Sequence, residues 1–215
     1  LTEMAPKRIK GPIGTAIDLL ASLPSIIYGM WGLFVFAPFL SEHVEPFLID
    51  YLGFIPLFTG APLGIGMLPA GFILAIMIIP FISSVSRDIF QMVPSILKES
   101  GYGVGATKWE VIRKIVLPYA RSGVIGAVIL GLGRALGETM AVTFLIGNAQ
   151  EIKLSLLDPA TSISATLANE FTEAVEDLYL SSLVELGLIL FIITFIVLAL
   201  AKLLISRFSY KGGQL

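Results

Sequence analysis

Arg134 and Glu138 stand four positions apart inside one of the most apolar stretches of the chain, GLGRALGETMAVTFLIGN. An isolated charge at the centre of a bilayer helix costs about 2.5–3.5 kcal/mol on insertion scales, so charged groups at that depth face a polar interior and pair. Two residues four apart on a helix can meet. At about 100° per residue, Gly123, Ala127, Gly131, Arg134, Glu138 and Ala141 fall on one stripe, which sets the two charges above a column of small side chains. Two readings are open. In one, the stripe lines a path through the membrane, with Gly131 below and Thr139 beside the charges; Arg134 offers a forked donor to a passing oxyanion while Glu138 holds the guanidinium and limits how tightly the anion binds. In the other, the charges are a buried pair that keeps two helices in register. On the flank, Gly133 and Gly137 form a G-x-x-x-G suited to close helix packing.

No other grouping offers catalytic chemistry. Cysteine is absent, which excludes disulfides and thiolate metal sites. His43 is the single histidine and has no metal-ligand partners around it, so no metal site is expected. No Ser-His or Asp pair lies at membrane depth to make an intramembrane enzyme. Gly131, Gly133 and Gly137 imitate G-x-G-x-x-G, but inside an apolar span with no preceding strand. No G-x-x-x-x-G-K-[ST] occurs, so the chain carries no nucleotide site. It reads as a non-enzyme that needs no cofactor and draws its energy from another chain. Asp18 and Glu185 fall near span ends and read as interfacial. Ser25 follows Pro24 at a possible helix break, where its hydroxyl or a freed N–H could touch an anion.

The elements that must position these residues are membrane helices. Apolar residues make up 56% of the chain, charged residues 14%, and the mean hydropathy is +0.90, outside the range of ordinary soluble domains. A bilayer core needs about 20 mostly apolar residues per helix. Four stretches qualify, roughly residues 14–40, 64–86, 122–147 and 181–206. Pro24, Pro38, Gly29 and Gly32 make the first a broken or bent segment, and Pro80 should kink the second. The basic residues fix the orientation. Lys7, Arg8 and Lys10 precede the first span; Arg87, Lys98, Lys108, Arg113, Lys114 and Arg121 lie between the second and third; Lys202, Arg207 and Lys211 close the chain. The opposite loops, 41–63 and 148–180, hold only Lys153 and carry the acidic residues Glu42, Glu45, Asp50, Glu151, Asp158, Glu170, Glu173, Glu176 and Asp177. Both ends of the chain are therefore expected in the cytoplasm. Ile163, Leu167, Phe171, Ala174 and Leu178 recur at helical spacing, predicting an amphipathic helix within loop 148–180 that covers the bundle or receives an external protein. The chain opens on Leu1 with no signal-peptide pattern, and is expected to begin inside a longer protein.

The cytoplasmic loop, 94–118, reads as two short helices. Gly101, Gly103 and Gly105 end the first, Thr107 and Glu110 have capping-box spacing for the second, and Pro118 is expected to break the chain before the third span. Its basic face has no nucleic-acid motif around it. Glu99, Ser100 and Gly101, then Gly105, then Ile115, Leu117 and Pro118 resemble the "EAA" signature of bacterial ABC importer permeases: E-A-A, three residues, G, nine residues, I-x-L-P, with the same spacing throughout. The resemblance implies that Glu99, Ser100, Gly101, Gly105, Ala106, Ile115, Leu117 and Pro118 form the coupling element held in a cleft of the ATP-hydrolysing subunit.

GLGRALGETMAVTFLIGN also looks like the fifth-helix motif of oxyanion-importing permeases, and together with ASLPSIIYGMWGLF at 21–34 it is similar to the phosphate permease subunits of the PstC type, over Met4 to about Phe208. That resemblance implies an all-α polytopic bundle of the MetI-like type I importer fold in a bacterial inner membrane, with 1–215 as one permease domain showing four of an expected six spans and lacking the first two. It implies that Arg134 and Glu138 matter for phosphate passage. It also implies a second homologous permease subunit, separate ATPase subunits and an external phosphate-binding protein. Sulfate, molybdate or tungstate permeases share R-A-L-G-E but would not be expected to carry LPSIIYGMWG. A passive anion channel would not need the coupling loop.

Overall fold

The computed structural model describes residues 2–209; Leu1, Lys211 and the side chains of Lys7 and Arg207 lie outside the described residues. Among the described residues four helices are long and apolar enough to cross a membrane. In chain order the helices are α1 (Lys7–Ser22), α2 (Ser25–Leu52), α3 (Met67–Gln91), α4 (Ser95–Gly103), α5 (Lys108–Leu136), α6 (Met140–Leu145), α7 (Ile163–Glu170) and α8 (Asp177–Ser209). Long helices are the required solution, since lipid offers backbone groups no partner and only intrahelical bonds satisfy them along the whole span.

Two expectations about the spans are corrected. The first span begins eleven residues later than the stretch 14–40, at Ser25, because Pro24 takes an extended conformation (φ −59°, ψ 139°) and separates α1 from α2. The helix then continues to Leu52, taking up Pro38 between two π-helical turns, Gly32–Phe36 and Leu40–Val44, whose wider winding relaxes the i−4 ladder around the ring. Glu42, Glu45 and Asp50 therefore belong to a helix and not to an acidic outer loop. Pro118 likewise does not break the chain: the π turn Ile112–Val116 just before it keeps α5 continuous, so the second helix of the cytoplasmic loop and the third span are one helix. Pro80 lies inside an unbroken α3.

The described residues divide into two compact units. In one, made of 23–77 and 135–195, the close approach of α2 to α6 depends on glycine: a Cβ at Gly29 would stand 2.7 Å from Phe144 and 3.1 Å from the Ala141 Cα, and one at Gly32 would stand 2.5 Å from Leu145. Tyr28 is buried beside them, whereas Trp31, 44% exposed, stacks on Phe36. The segments 53–68 and 145–160 are laced by backbone bonds, Gly66 N–H to Leu145 O (2.8 Å), Leu156 N–H to Leu57 O (2.9 Å) and Leu68 N–H to Leu156 O (2.8 Å), over the buried Leu157. Glu45, wholly buried, accepts from the Gly64 N–H at 2.8 Å. His43 is exposed and stacks on Phe39.

In the other unit, α5 packs its small residues on α3. Ala127 and Gly131 are buried, and a Cβ at Gly123 or Gly131 would lie 2.6 Å from Ile89 or 2.7 Å from Ile82. At the base, Val93, Val111, Val116 and Ala120 form a buried cluster flanked by Ile89, Phe90, Ala106, Ile115 and Val124.

Gly64 sits at φ +70°, and a Cβ there would come within 2.1 Å of the Ala37 carbonyl oxygen. Left-handed backbone costs other residues about 1–2 kcal/mol before any clash. Gly64→Ala should accordingly lower the thermal midpoint of the detergent-solubilised protein by several degrees; an unchanged midpoint would contradict the close approach of this strap to α2.

Candidate functional site

The apolar stretch holding Arg134 and Glu138 is not one helix. Helix α5 ends at Leu136, residues 137–139 leave helical geometry, and α6 starts at Met140. The relation of four residues along a helix, on which the Arg134–Glu138 pair was expected, does not exist. Among the described residues Arg134 enters no ion pair; its guanidinium carbon lies 5.3 Å from the centre of the Phe81 ring on α3, a cation–π contact. Gly131, expected on the path, is instead buried beneath Ile78 and Ile82, because a side chain there would collide with them. Gly133 meets Leu198 of α8 as a packing position, while Gly137 falls in the break and is exposed.

Glu138 is 9% exposed and its contacts are with backbone. Its Oε1 accepts from the Ala141 N–H at 3.2 Å, giving the first turn of α6 an acceptor where a helix start has none of its own. Its carbonyl accepts from Ser164 Oγ at 2.8 Å, and its N–H donates to Ala135 O at 3.2 Å. Thr139 donates through Oγ1 to Gly137 O (3.3 Å), and its own carbonyl accepts both the N–H (2.9 Å) and the hydroxyl (2.8 Å) of Thr143. Gly137 and Thr139 line a cavity of about 400 Å³ with Ser164, Leu167, Ala168, Phe171 and Leu190. Ser164 and Phe81 were not singled out from the sequence. Ser162, which caps α7 by accepting from the Ala165 N–H at 3.2 Å, is the local signal that places Ser164 in a first turn.

Helix α7 ends at Glu170 and α8 begins at Asp177, so Ile163, Leu167, Phe171, Ala174 and Leu178 do not share one helix face; Leu178 is 82% exposed. The amphipathic period runs across a break in the helix at 171–176.

The hairpin at 94–118 is built by two local devices. At the end of α4 the Ala106 N–H donates to Gly101 O (3.1 Å) and the Gly105 N–H to Tyr102 O (2.9 Å), with Gly105 at φ +82°, which is a Schellman closure requiring glycine's left-handed freedom. Thr107 and Glu110 then cap α5 reciprocally, the Thr107 N–H to Glu110 Oε2 at 3.0 Å and the Glu110 N–H to Thr107 Oγ1 at 3.4 Å. Gly101 is buried, and a Cβ there would stand 2.6 Å from Ile115 and 3.0 Å from Val111, so the small residue lets α4 lie against α5. Glu99 and Ser100 face outward with Gly105, Leu117 and Pro118, whereas Ala106 and Ile115 are half-buried. Ile96, Tyr102, Val104 and Trp109 leave an exposed apolar edge.

Residues 2–210 match the protein family described as "Binding-protein-dependent transport system inner membrane component". The chain is 60% identical over 99% of its length to the "Phosphate transport system permease protein PstC" of Mesorhizobium japonicum, covering 66% of that protein, and 59% identical to the protein of the same name from Pasteurella multocida, covering 68% of it. A "Probable phosphate transport system permease protein PstC" of Methanocaldococcus jannaschii is 42% identical over 92% of this chain and 63% of its own. The chain thus spans about two thirds of the length of these relatives. A solved structure of the MetNI methionine ABC transporter in inward-facing conformations has a similar fold, with a TM-score of 0.62 over 93% of this chain and 76% of that one at 17% identity.

If Glu138 holds the start of α6, Glu138→Leu should speed hydrogen exchange of the amides of residues 140–143 by about fivefold, the equivalent of the ~1 kcal/mol that a lost helix-start acceptor typically costs. Glu138→Gln keeps an acceptor and should exchange as the wild type does; equal exchange in all three proteins would remove the capping role.

Proposed function

The chain belongs to the family of binding-protein-dependent transport system inner membrane components, and from that membership we propose that it is a permease subunit of an ATP-driven importer of inorganic phosphate. The observation that carries the substrate is the 60% identity, over nearly the whole chain, to a protein named for phosphate transport. Sulfate, molybdate and tungstate, the nearest alternative cargoes, are outcomes of the test below.

In this reading the chain supplies half of a path completed by a second, homologous permease subunit, and an external phosphate-binding protein delivers the anion. Separate ATPase subunits grip the hairpin through Glu99, Ser100, Gly101, Gly105, Ala106, Ile115, Leu117 and Pro118. Its exposed apolar edge and its rigid Schellman and capping-box closures suit it to be gripped and moved as a body. Both ends of the chain lie in the cytoplasm of a bacterial cell with the hairpin, in keeping with the distribution of Lys and Arg.

Arg134 is the cation of the path. Its side chain rests against an aromatic face and not against a carboxylate, so the forked donor is not neutralised by an ion pair among the described residues, and binding a phosphate oxygen requires no salt bridge to be broken first. In the same reading Glu138 and Thr139 act through the backbone. They hold open the break at 137–139, whose cavity adds hydroxyl groups to the route. Contacts in the path need only be weak, because the binding protein supplies the affinity and ATP binding selects between conformations.

The test is uptake in vesicles containing the complete transporter. Phosphate should enter only with ATP, and excess sulfate, molybdate or tungstate should not compete; uptake without the ATPase subunits would make the chain a channel. Arg134→Ala should lower uptake about 10- to 100-fold, the factor expected for loss of ~1.5–3 kcal/mol in a charged hydrogen bond, while the complex stays assembled. Gly105→Val should abolish ATP-coupled uptake with insertion intact, because valine cannot hold the left-handed turn; normal uptake in either variant counts against the role given to that residue.

A further inference from the structure

The segment before the first span is bonded at both ends to the cytoplasmic machinery. Toward its C-terminal end, Asp18 of α1 accepts from Arg87 Nη2 at 2.5 Å and from Ser84 Oγ at 2.7 Å, both on the last turns of α3. The Arg87 side chain is only 18% exposed. Room for it comes from Gly14, one turn earlier on α1, where a Cβ would lie 2.5 Å from Arg87 Nη1. The bonds from Arg87 first, and then from Ser84, hold the Asp18 carboxyl below the usual carboxylate range. The contact is therefore present at neutral pH and is lost only as pH falls through that lowered value.

At the other end of the segment, Glu3 accepts from Lys98 Nζ at 2.6 Å, and both side chains are about four-fifths buried, at 21% and 22% exposure. Lys98 lies on α4, next to Glu99. Lys10 Nζ donates to Thr2 O at 2.9 Å and folds the residues ahead of α1 back onto the helix. The segment 2–18 thus bridges two helices that meet at the bend 92–94, where Pro94 is extended (φ −55°, ψ 135°) and Val93 alone is anchored in the core, Met92 being 75% exposed.

We propose that α1 and the residues before it are a splint across this bend, with Glu3, Gly14 and Asp18 as positioning residues that fix the angle between α3 and α4. A hairpin pushed by an ATPase moves a membrane helix only if the joint between them does not fold. Three residues between α3 and α4 make such a joint, and ion pairs on either side of it remove its freedom. Ion pairs at a surface are individually weak; here the Glu3–Lys98 side chains are about four-fifths buried, and the two contacts act together on opposite sides of a three-residue joint. The inference rests on the importer reading for its functional consequence and on the structure alone for its mechanical one.

The experiment uses the full-length permease with its partner subunits in vesicles supplied with the phosphate-binding protein. The Glu3→Ala, Asp18→Ala double variant should carry about fivefold less phosphate per ATP hydrolysed, with complex assembly and basal ATP hydrolysis retained. The exchanged pair Glu3→Lys with Lys98→Glu, at intact Asp18, should recover coupling that Glu3→Lys alone loses. A second readout needs no transport. Spin labels at Ile79→Cys on α3 and Tyr102→Cys at the end of α4, both exposed positions in a sequence without cysteine, should give a narrow distance distribution that broadens in the double variant. Unchanged width overturns the splint, as does unchanged coupling in an otherwise ATP-driven wild type. If the wild type itself fails to couple ATP to phosphate uptake, the importer reading falls and the label distances alone decide the splint.

Discussion

Everything at the centre of this protein depends on how the backbone is satisfied where α5 stops. In hydrocarbon each unpaired N–H or C=O costs several kcal/mol, so a helix can be interrupted at membrane depth only where protein groups take over the lost bonds. The break at 137–139 meets that condition with bonds from its own residues and from α7: the Glu138 carboxyl serves the start of α6, the Ser164 hydroxyl serves the Glu138 carbonyl, and Thr139 and Thr143 close the next turn. A carboxylate inside the membrane therefore has a structural use before it has an electrostatic one. Its Oε1 is engaged by backbone, and Arg134 is left with an aromatic neighbour in place of an anionic one.

The same economy explains why glycine recurs where helices approach. On α2, Gly29 and Gly32 admit α6 to within van der Waals range, and on α5, Gly123 and Gly131 admit the isoleucines of α3. Between membrane helices there is no water to expel, so association relies on close contact. A stripe of small residues is the signature of such contact as much as of a path. Here the stripe below Arg134 is filled by Ile78, Ile82 and Ile89, and the cavity lies instead at the break, among Gly137, Thr139 and Ser164.

What the sequence makes legible follows the range of the interaction. Bonds that close within a few residues were readable: the capping box at Thr107 and Glu110, the glycine turn at Gly105, and the four apolar lengths that a bilayer demands. The break after Leu136 was not, since Arg134, Glu138 and Ala141 fit a helical period and the hydroxyl that stabilises the interruption, Ser164, is 26 residues away. Proline was only partly legible for the same reason. Pro24 ends a helix as a proline should, while Pro38 and Pro118 are carried through because neighbouring π turns absorb the missing N–H, and nothing in the local residue types announces a π turn. Glu45 reads as one more outer acid until the strap that buries it, through Gly64, is in place.

These local and distant contributions fall on different parts of the chain. The hairpin is specified almost wholly by its own residues; a Schellman turn and a capping box hold whatever surrounds them. The break at 137–139 is specified by partners on other elements, notably α7, so its geometry is sensitive to how those elements sit. That asymmetry follows from where the hydrogen-bond partners lie along the chain.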